Sequence, residues 1–181
     1  MIKRFYFIAV FLLLLSASYS QFDTAFAKTN IRRCADSLAL GFKIKDWELF
    51  ARYSYPALIG SMGGKKDFMN YMAIMYSQIP DNDWKLYETG KILQVIKTAG
   101  DLQTVIELKS VVEWQGTRFT TITPFIGESW DGGLFWTFFD SEGDRAAALL
   151  MKPDLSDQLI IPKKMETNES ISSPPKIKNN P

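Results

Sequence analysis

Carboxylates, tyrosines and lysines are the side chains with which this chain could move protons. Its 181 residues include no histidine, which is the commonest general base in enzymes and a common metal ligand. Mechanisms built on Ser-His-Asp or Cys-His are therefore excluded. Catalysis would have to use Asp, Glu, Tyr or Lys, and these residues form no recognisable catalytic motif. We predict neither a metal nor another cofactor.

The single cysteine, Cys34, has no partner for a disulfide within the chain. It falls on an apolar stripe with helical spacing. This position favours a small buried hydrophobic side chain over a reactive thiol or an intermolecular bridge.

The segment Gly60 to Lys66 (GSMGGKK) has the composition of a phosphate-binding loop without its spacing. The Walker motif requires glycine where Ile59 stands, and Ser or Thr where Lys66 stands. We interpret the segment as a turn that starts the next helix.

Alternating polarity organises the stretch from Leu102 to Asp140. Apolar and polar residues alternate from Leu102 to Trp114, which is typical of a strand with one buried face. Gln115-Gly116 then forms a two-residue hairpin turn, because glycine accepts the positive φ that the turn needs. The cross-strand pairs that this turn predicts are Trp114–Thr117, Glu113–Arg118, Val112–Phe119, Leu108–Thr123 and Ile106–Phe125.

Two features qualify the rest of this predicted sheet. Pro124 cannot donate a ladder hydrogen bond, so we expect a bulge or an edge location there. After a turn at Asp131 to Gly133, Leu134 to Phe139 is apolar on both faces, which indicates a central strand. A strand from Trp84 to Lys97 precedes them, with a bulge near Gly90.

Helical spacing dominates the residues ahead of the sheet. Residues 28–44 form a predicted first helix, and Asp46 caps a short second helix that ends before Pro56. Lys65 to Ile79 forms the next helix. Another short helix, Asp144 to Met151, follows the sheet, so the fold class is α+β with N-terminal helices packed on a curved antiparallel sheet.

The two ends of the chain differ from this body. Residues 1–20 resemble a cleavable signal sequence, with Lys3 and Arg4 before an apolar run too short to cross a bilayer. We therefore expect a secreted or periplasmic protein without a stable membrane anchor. Residues 21–162 form the predicted domain, and the polar, proline-containing tail at 163–181 is expected to be disordered. The net charge of +1 gives no reason to expect a nucleic-acid partner.

Several short motifs resemble one family. They are Tyr55-Pro56 followed by Met62-Gly63-Gly64-Lys65, and the Asp131-Gly132-Gly133 turn leading to Trp136-Thr137-Phe138. Together with the order of elements, they are similar to uncharacterised secreted bacterial NTF2-like proteins of the cystatin-like superfamily over residues 28–162. The resemblance implies a cone between sheet and helices. That superfamily contains isomerases and dehydratases as well as non-enzymatic binding domains, so the resemblance assigns no catalytic residue.

Our first hypothesis is an accessory or binding protein that holds a small apolar ligand in a pocket between the sheet and the helices. The candidate lining residues are Trp47, Tyr53, Tyr55, Thr121, Thr123, Trp136 and Phe138.

The second hypothesis is an interaction scaffold, because NTF2-like proteins often form homodimers through the outer sheet face. Val105, Val111, Ile122 and Ile126 make the predicted outer face more apolar than contact with solvent favours. The alternative is that the C-terminal segment covers these residues within one chain.

The third hypothesis is an isomerase or lyase. The resemblance implies an inward-facing base, for which Asp36 on the first helix is the closest candidate. Glu128 is the other acid–base candidate. A buried carboxylate with a raised pKa beside a hydroxyl such as that of Tyr53 would suit proton transfer. We rank this hypothesis last because the chain lacks a catalytic motif.

Overall fold

The computed structural model describes residues 22–171. The predicted signal sequence at 1–20 and the end of the predicted tail at 172–181 lie outside the described residues. No helix within 22–171 is both long and apolar enough to cross a membrane.

Four helices precede the sheet. They are α1 (Thr24–Lys43), α2 (Trp47–Tyr53), α3 (Pro56–Ser61) and α4 (Lys65–Ser77). Helix α1 begins four residues before the predicted start, because the carboxylate of Asp23 accepts a hydrogen bond from the backbone N–H of Phe26 (2.9 Å) and caps it there. Asp46 caps α2 as predicted, through the backbone N–H of Leu49 (2.9 Å). Pro56 ends this stretch and opens the separate helix α3.

Five antiparallel strands form one sheet that does not close into a barrel within the described chain. They are β1 (Trp84–Lys97), β2 (Leu102–Trp114), β3 (Thr117–Ser129), β4 (Thr137–Asp140) and β5 (Met165–Ser170), with helix α5 (Arg145–Met151) between the last two. The strand order is β1-β2-β3-β4, and β5 pairs with β3. The predicted α+β class, with N-terminal helices packed on an antiparallel sheet, is confirmed.

The predicted hairpin register between β2 and β3 is confirmed at every position given above, from Trp114–Thr117 to Ile106–Phe125. The two turn residues both have positive φ, 49° at Gln115 and 75° at Gly116. On the outer face, Arg118 Nε donates to Glu113 Oε1 (2.9 Å). The predicted irregularity in β1 is also present, as a register shift between Thr89 and Ile92.

The strand near Leu134 differs from its prediction. Only Thr137–Asp140 is extended, and β4 lies at the end of the strand order rather than in the middle. It is apolar on both faces because Phe138 packs into the core beneath the helices, while Phe139 packs on the opposite side of the sheet. Burial of both faces therefore does not require a central strand.

Pro124 keeps its place in the β2–β3 ladder opposite Glu107 without a bulge. The other side of β3 pairs with β5 up to Ile122 and with β4 from Phe125. Pro124 therefore lies in the gap between these two partners, where a missing N–H leaves no strand unpaired.

The C-terminal tail also differs from its prediction over its described part. Met165–Ser170 forms β5 on the edge of β3, although all six of its residues are exposed. Disorder was predicted because the segment is polar and contains proline. The edge of β3 instead supplies backbone hydrogen-bond partners that do not depend on burial.

We expect Gly127→Ala to destabilise the protein by about 1–3 kcal/mol through overpacking. A Cβ at this position would lie 2.6 Å from Thr104 Cγ2 and 2.7 Å from Phe138 Cε1. Chemical denaturation measures the loss. The matched control is Gly60→Ala in α3, where a Cβ meets no atom within 4 Å and helix propensity favours alanine. Equal stability of the two variants would contradict the tight contact at Gly127.

Candidate functional site

A cavity of about 320 Å³ lies between the inner face of the sheet and the helices. Its interior is apolar, with side chains from α1, α2 and α4 facing those of β2, β3 and β4. The main apolar lining residues are Leu38, Phe50, Phe68, Met72, Leu108 and Phe125. The helices and the sheet therefore leave a space between them that their own side chains do not fill.

One end of the cavity is polar. Ser110 on β2 and Thr121 and Thr123 on β3 contribute hydroxyl groups, and Asp140 at the end of β4 contributes a carboxylate. These residues share a face because Ser110 pairs with Thr121 and Phe125 pairs with Asp140 in the ladder. The cavity thus joins an apolar interior to a small set of hydrogen-bonding groups, which is the usual composition of a small-molecule site.

The turn after β4 shapes this polar end. Glu142 and Gly143 both have positive φ, 52° and 70°. A Cβ on Gly143 would lie 2.3 Å from the backbone nitrogen of Lys164, so only glycine allows the two segments to approach this closely. The approach brings Lys164 to the cavity, where its Nζ pairs with Glu142 Oε2 (2.7 Å) and Glu166 Oε1 (2.7 Å).

Asp140 is the most electrostatically perturbed acid of the cavity. Asp140 is an exposed residue at the rim of the cavity, and the protein atoms around its carboxyl group remove part of its hydration. Burial, followed by the neighbouring Glu142 carboxylate, raises the pKa of Asp140 to about 6. The Glu142 backbone N–H donates to Asp140 Oδ1 (2.6 Å), and this hydrogen bond opposes the rise in pKa. Asp140 therefore changes charge close to neutral pH.

Two tyrosines line the same cavity and stay neutral. Burial raises the pKa of Tyr76 above its usual value, and burial raises that of Tyr87 well above it. Trp84 lies against both rings, with centroid separations of 6.0 Å to Tyr76 and 6.1 Å to Tyr87. The three rings form an uncharged aromatic wall that lines this cavity and a neighbouring one of about 140 Å³.

The structure brings together only some of the predicted pocket residues. Thr121, Thr123 and Phe138 line the main cavity, whereas Trp47 lines the smaller neighbouring one. The other three predicted residues pack elsewhere. Tyr53 stacks on Phe135.

Trp136 and Tyr55 also have structural partners. Trp136 is fully buried and donates its indole N–H to the Gly133 carbonyl (3.0 Å). Tyr55 lies on the other side of the sheet, 5.0 Å from the ring of Phe139. Neither residue lines the main cavity.

Asp36 does not face inward, and this prediction was wrong. It is exposed on the outer side of α1 and accepts a hydrogen bond from the Thr89 hydroxyl. The apolar stripe of α1 instead runs through Cys34, which is fully buried as predicted, and Leu38. Asp36 lies just off that stripe, so its outward direction follows from helical spacing.

Glu128 is buried as an acid–base candidate should be, but it lies on the opposite side of the sheet from the cavity. It pairs with the ammonium of Lys152, a residue with no exposed surface. Lys152 Nζ also contacts Asp101 Oδ2 (2.8 Å) and Asp154 Oδ1 (2.9 Å). We call Asp101, Glu128, Lys152 and Asp154 the Lys152 cluster.

Electrostatics in the Lys152 cluster follow from two buried carboxylates sharing one cation. Burial raises the pKa of Glu128 despite the ion pair with Lys152. Burial also acts to raise the pKa of Asp101, but hydrogen bonds from Lys152, Thr98 and Gln103 outweigh it and lower that pKa. Burial and the Glu128 charge raise the pKa of Tyr55 to about 12. The groups satisfy one another, so the cluster is a structural anchor rather than an open site.

The predicted dimer face is half covered by the same chain. Val105 and Ile126 are fully buried beneath α5 and the segment that follows it, where Leu155 and Leu159 pack on them. This is the alternative that the sequence left open. Val111 and Ile122 remain partly exposed, and dimerisation through them stays a prediction.

Sequence reasoning missed Asp140 as a site residue. The signal was present, because the period of two that places Phe138 on the inner face also places Asp140 there. It was overlooked because the predicted strand ended at Phe139. Lys164 carried no such signal, since its position depends on β5.

Comparisons of the chain with protein-family models, curated proteins and solved structures found no match. The NTF2-like resemblance therefore stays a prediction from the motifs. Among residues 22–171, no group of three or more acidic, cysteine or histidine side chains is arranged to hold a metal ion.

We expect Lys152→Met to destabilise the protein by about 3–5 kcal/mol, because it leaves the Asp101 and Glu128 carboxylates buried without their cation. Denaturant unfolding measures the change. Lys163→Met, at an exposed lysine outside the cluster, is the control and should change stability by less than about 0.5 kcal/mol. Similar losses in both variants would show that the buried ammonium does not hold the cluster.

Asp140→Asn should stabilise the protein at neutral pH and not in acid. The folded pKa of about 6 exceeds the usual 3.8, so the folded state binds the proton more tightly. Stability from this group is present below about pH 4 and is lost as pH rises through about 6. Asparagine carries no charge and avoids that loss. Once solvent screening is allowed for, the free energy of unfolding at neutral pH should therefore be higher in the variant by about 1 kcal/mol.

Denaturation of both proteins between about pH 4 and pH 7.5 measures this difference. Glu88→Gln, an acid-to-amide change at an exposed outer position of β1, is the control. A difference in unfolding free energy between Asp140→Asn and the wild type that does not change with pH would contradict the raised pKa of Asp140.

Proposed function

We propose that this chain is a binding protein for a small, largely apolar molecule held in the cavity between the sheet and the helices. The observation that carries the proposal is the space itself. A fold of this size normally fills the region between its layers with side chains. Here about 320 Å³ stays open between Phe68 and Met72 on one side and Leu108 and Phe125 on the other.

The lining supports binding in preference to a packing defect. The cavity is open to solvent, so its apolar walls are left in unfavourable contact with water. A ligand of matching shape displaces that water and gains the hydrophobic free energy of its own burial. The hydroxyls of Ser110, Thr121 and Thr123 at one end would orient it.

The position of the cavity also supports this function. The Lys152 cluster and the Glu113–Arg118 pair lie on the outer face of the sheet. The polar side chains that line the cavity take part in neither the Lys152 cluster nor the Glu113–Arg118 pair. Thr121 and Ser110 make no side-chain hydrogen bond within the described residues that would explain their inward position.

Methyl NMR of ¹³C-methionine-labelled protein tests the proposal. Met62 and Met72 line the cavity, whereas Met165 lies exposed on β5. With 1-naphthylmethanol as a neutral probe, we expect saturable shifts of the Met62 and Met72 methyls and none at Met165. Absence of shifts at Met62 and Met72 up to the solubility of the probe would count against a ligand site.

Ser110→Phe should block this binding, because the ring would occupy the polar end of the cavity. Lys109→Phe is the matched control, since it adds the same ring to the preceding residue of β2, on the outer face. We expect at least tenfold weaker binding in Ser110→Phe and unchanged affinity in Lys109→Phe, measured by calorimetry. Equal affinity of the two folded variants would contradict this placement of the ligand.

A further inference from the structure

The charges around the cavity are unbalanced. Two carboxylates, on Asp140 and Glu142, line the cavity together with the single ammonium of Lys164. Lys164 already contacts Glu142 and Glu166 at 2.7 Å each. No other lysine or arginine lines the cavity within the described residues. Within the described residues Asp140 forms no ion pair, although the nearby Lys164 charge acts to lower its pKa.

This imbalance discriminates between classes of ligand. An anionic group at the polar end would meet Asp140 and Glu142, and the one available ammonium is held by two carboxylates. A neutral polar group would accept or donate a hydrogen bond but leave the excess negative charge in place. A protonated amine would offset that charge and donate a charge-assisted hydrogen bond to the carboxylate, which is stronger than a neutral one.

The aromatic wall favours the same class. Tyr76, Trp84 and Tyr87 line the cavity that contains Asp140, and both tyrosines are neutral. The faces of such rings attract cations through their quadrupoles, and this attraction grows where water is excluded. Aromatic rings are a common means of recognising ammonium ligands.

We propose that the ligand is a compact hydrophobic amine, bound with its protonated nitrogen against Asp140 and its apolar body among the aromatic and aliphatic side chains. This inference rests on the proposed function, since it requires that the cavity holds a ligand. It specifies the charge of the ligand and the residue that recognises it. The hydroxyls of Thr121 and Thr123 would accept the remaining ammonium hydrogens.

Three probes with the same naphthalene body separate this inference from the proposed function. They are 1-naphthylmethylamine, 1-naphthylmethanol and 1-naphthoic acid, which present a cation, a neutral hydroxyl and an anion. Titration calorimetry at about pH 7.5 should give the amine roughly tenfold or greater advantage over the alcohol, with the acid weakest. Methyl shifts of Met62 and Met72 show that each probe occupies the cavity.

Asp140→Asn should abolish the preference for the amine over the alcohol, while the affinity for the alcohol stays unchanged. Glu88→Gln, on the outer face of β1, is the matched control and should keep it. Unchanged methyl spectra of Met62 and Met72 in the free variants establish that the cavity is intact.

The pH profile supplies a second readout. Asp140 ionises in an environment set by Glu142, Lys164 and Glu166 at the polar end and by Tyr76 and Tyr87 in the wall. The amine stays protonated near neutral pH, so its affinity should rise as pH passes through about 6 in the wild type. This rise should be absent in Asp140→Asn.

Each remaining outcome decides between the two proposals. Equal binding of the three probes, or tightest binding of the acid, would overturn the amine inference and leave the proposed function standing. An amine preference that survives in Asp140→Asn would likewise overturn the role of this carboxylate. Failure of all three probes to shift Met62 and Met72 would overturn both.

Discussion

The register of the β2–β3 hairpin is the constraint on which the rest of the structure depends. A two-residue turn at Gln115-Gly116 fixes it, and the ladder then runs without interruption to the pair Leu102–Ser129. Side chains alternate between faces along each strand, so a slip by one residue would exchange the two faces completely. The hydroxyls of Ser110 and Thr121 would then point to solvent, and Lys109 would point into the core.

The same register determines how the chain completes its outer face. It places Gln103 and Glu128 opposite each other, where both are buried. Lys152 supplies the charge that makes this burial tolerable, and the backbone N–H of Ser156 donates to Gln103 Oε1 (2.9 Å). Together these contacts hold α5 and the segment after it against the sheet, so the chain itself covers Val105 and Ile126 on that face.

Predictions from the sequence succeeded where local patterns decide the outcome. The hairpin pairs, the cap at Asp46 and the burial of Cys34 all follow from spacing over a few residues. Predictions failed where a distant partner decides. β5 shows no alternation of its own and forms because β3 has a free edge. The meeting of Lys152 with Asp101 and Glu128 requires three remote segments, which no local pattern reveals.

For the candidate site, too, predictions succeeded where a local pattern decides the direction of a side chain. Thr121, Thr123 and Phe138 were predicted because strand periodicity indicates their direction. Asp36 was wrong because an acidic residue adjacent to an apolar stripe was given an inward direction that the stripe does not support. The predicted aromatic residues Tyr55 and Trp136 are buried, but burial alone does not distinguish a cavity wall from a filled core.

The close approach of Gly143 and Lys164 has a consequence for how such a protein could diversify. The interior of the cavity is made by strands and helices whose substitution would disturb the whole hydrophobic core. Glu166, by contrast, belongs to the exposed strand β5, and the half-buried Lys164 lies just before it. Backbone contacts that tolerate most residues join β5 to β3. Related chains could therefore exchange the charge at the cavity entrance through a few surface substitutions and acquire a new ligand head-group preference while retaining the same interior.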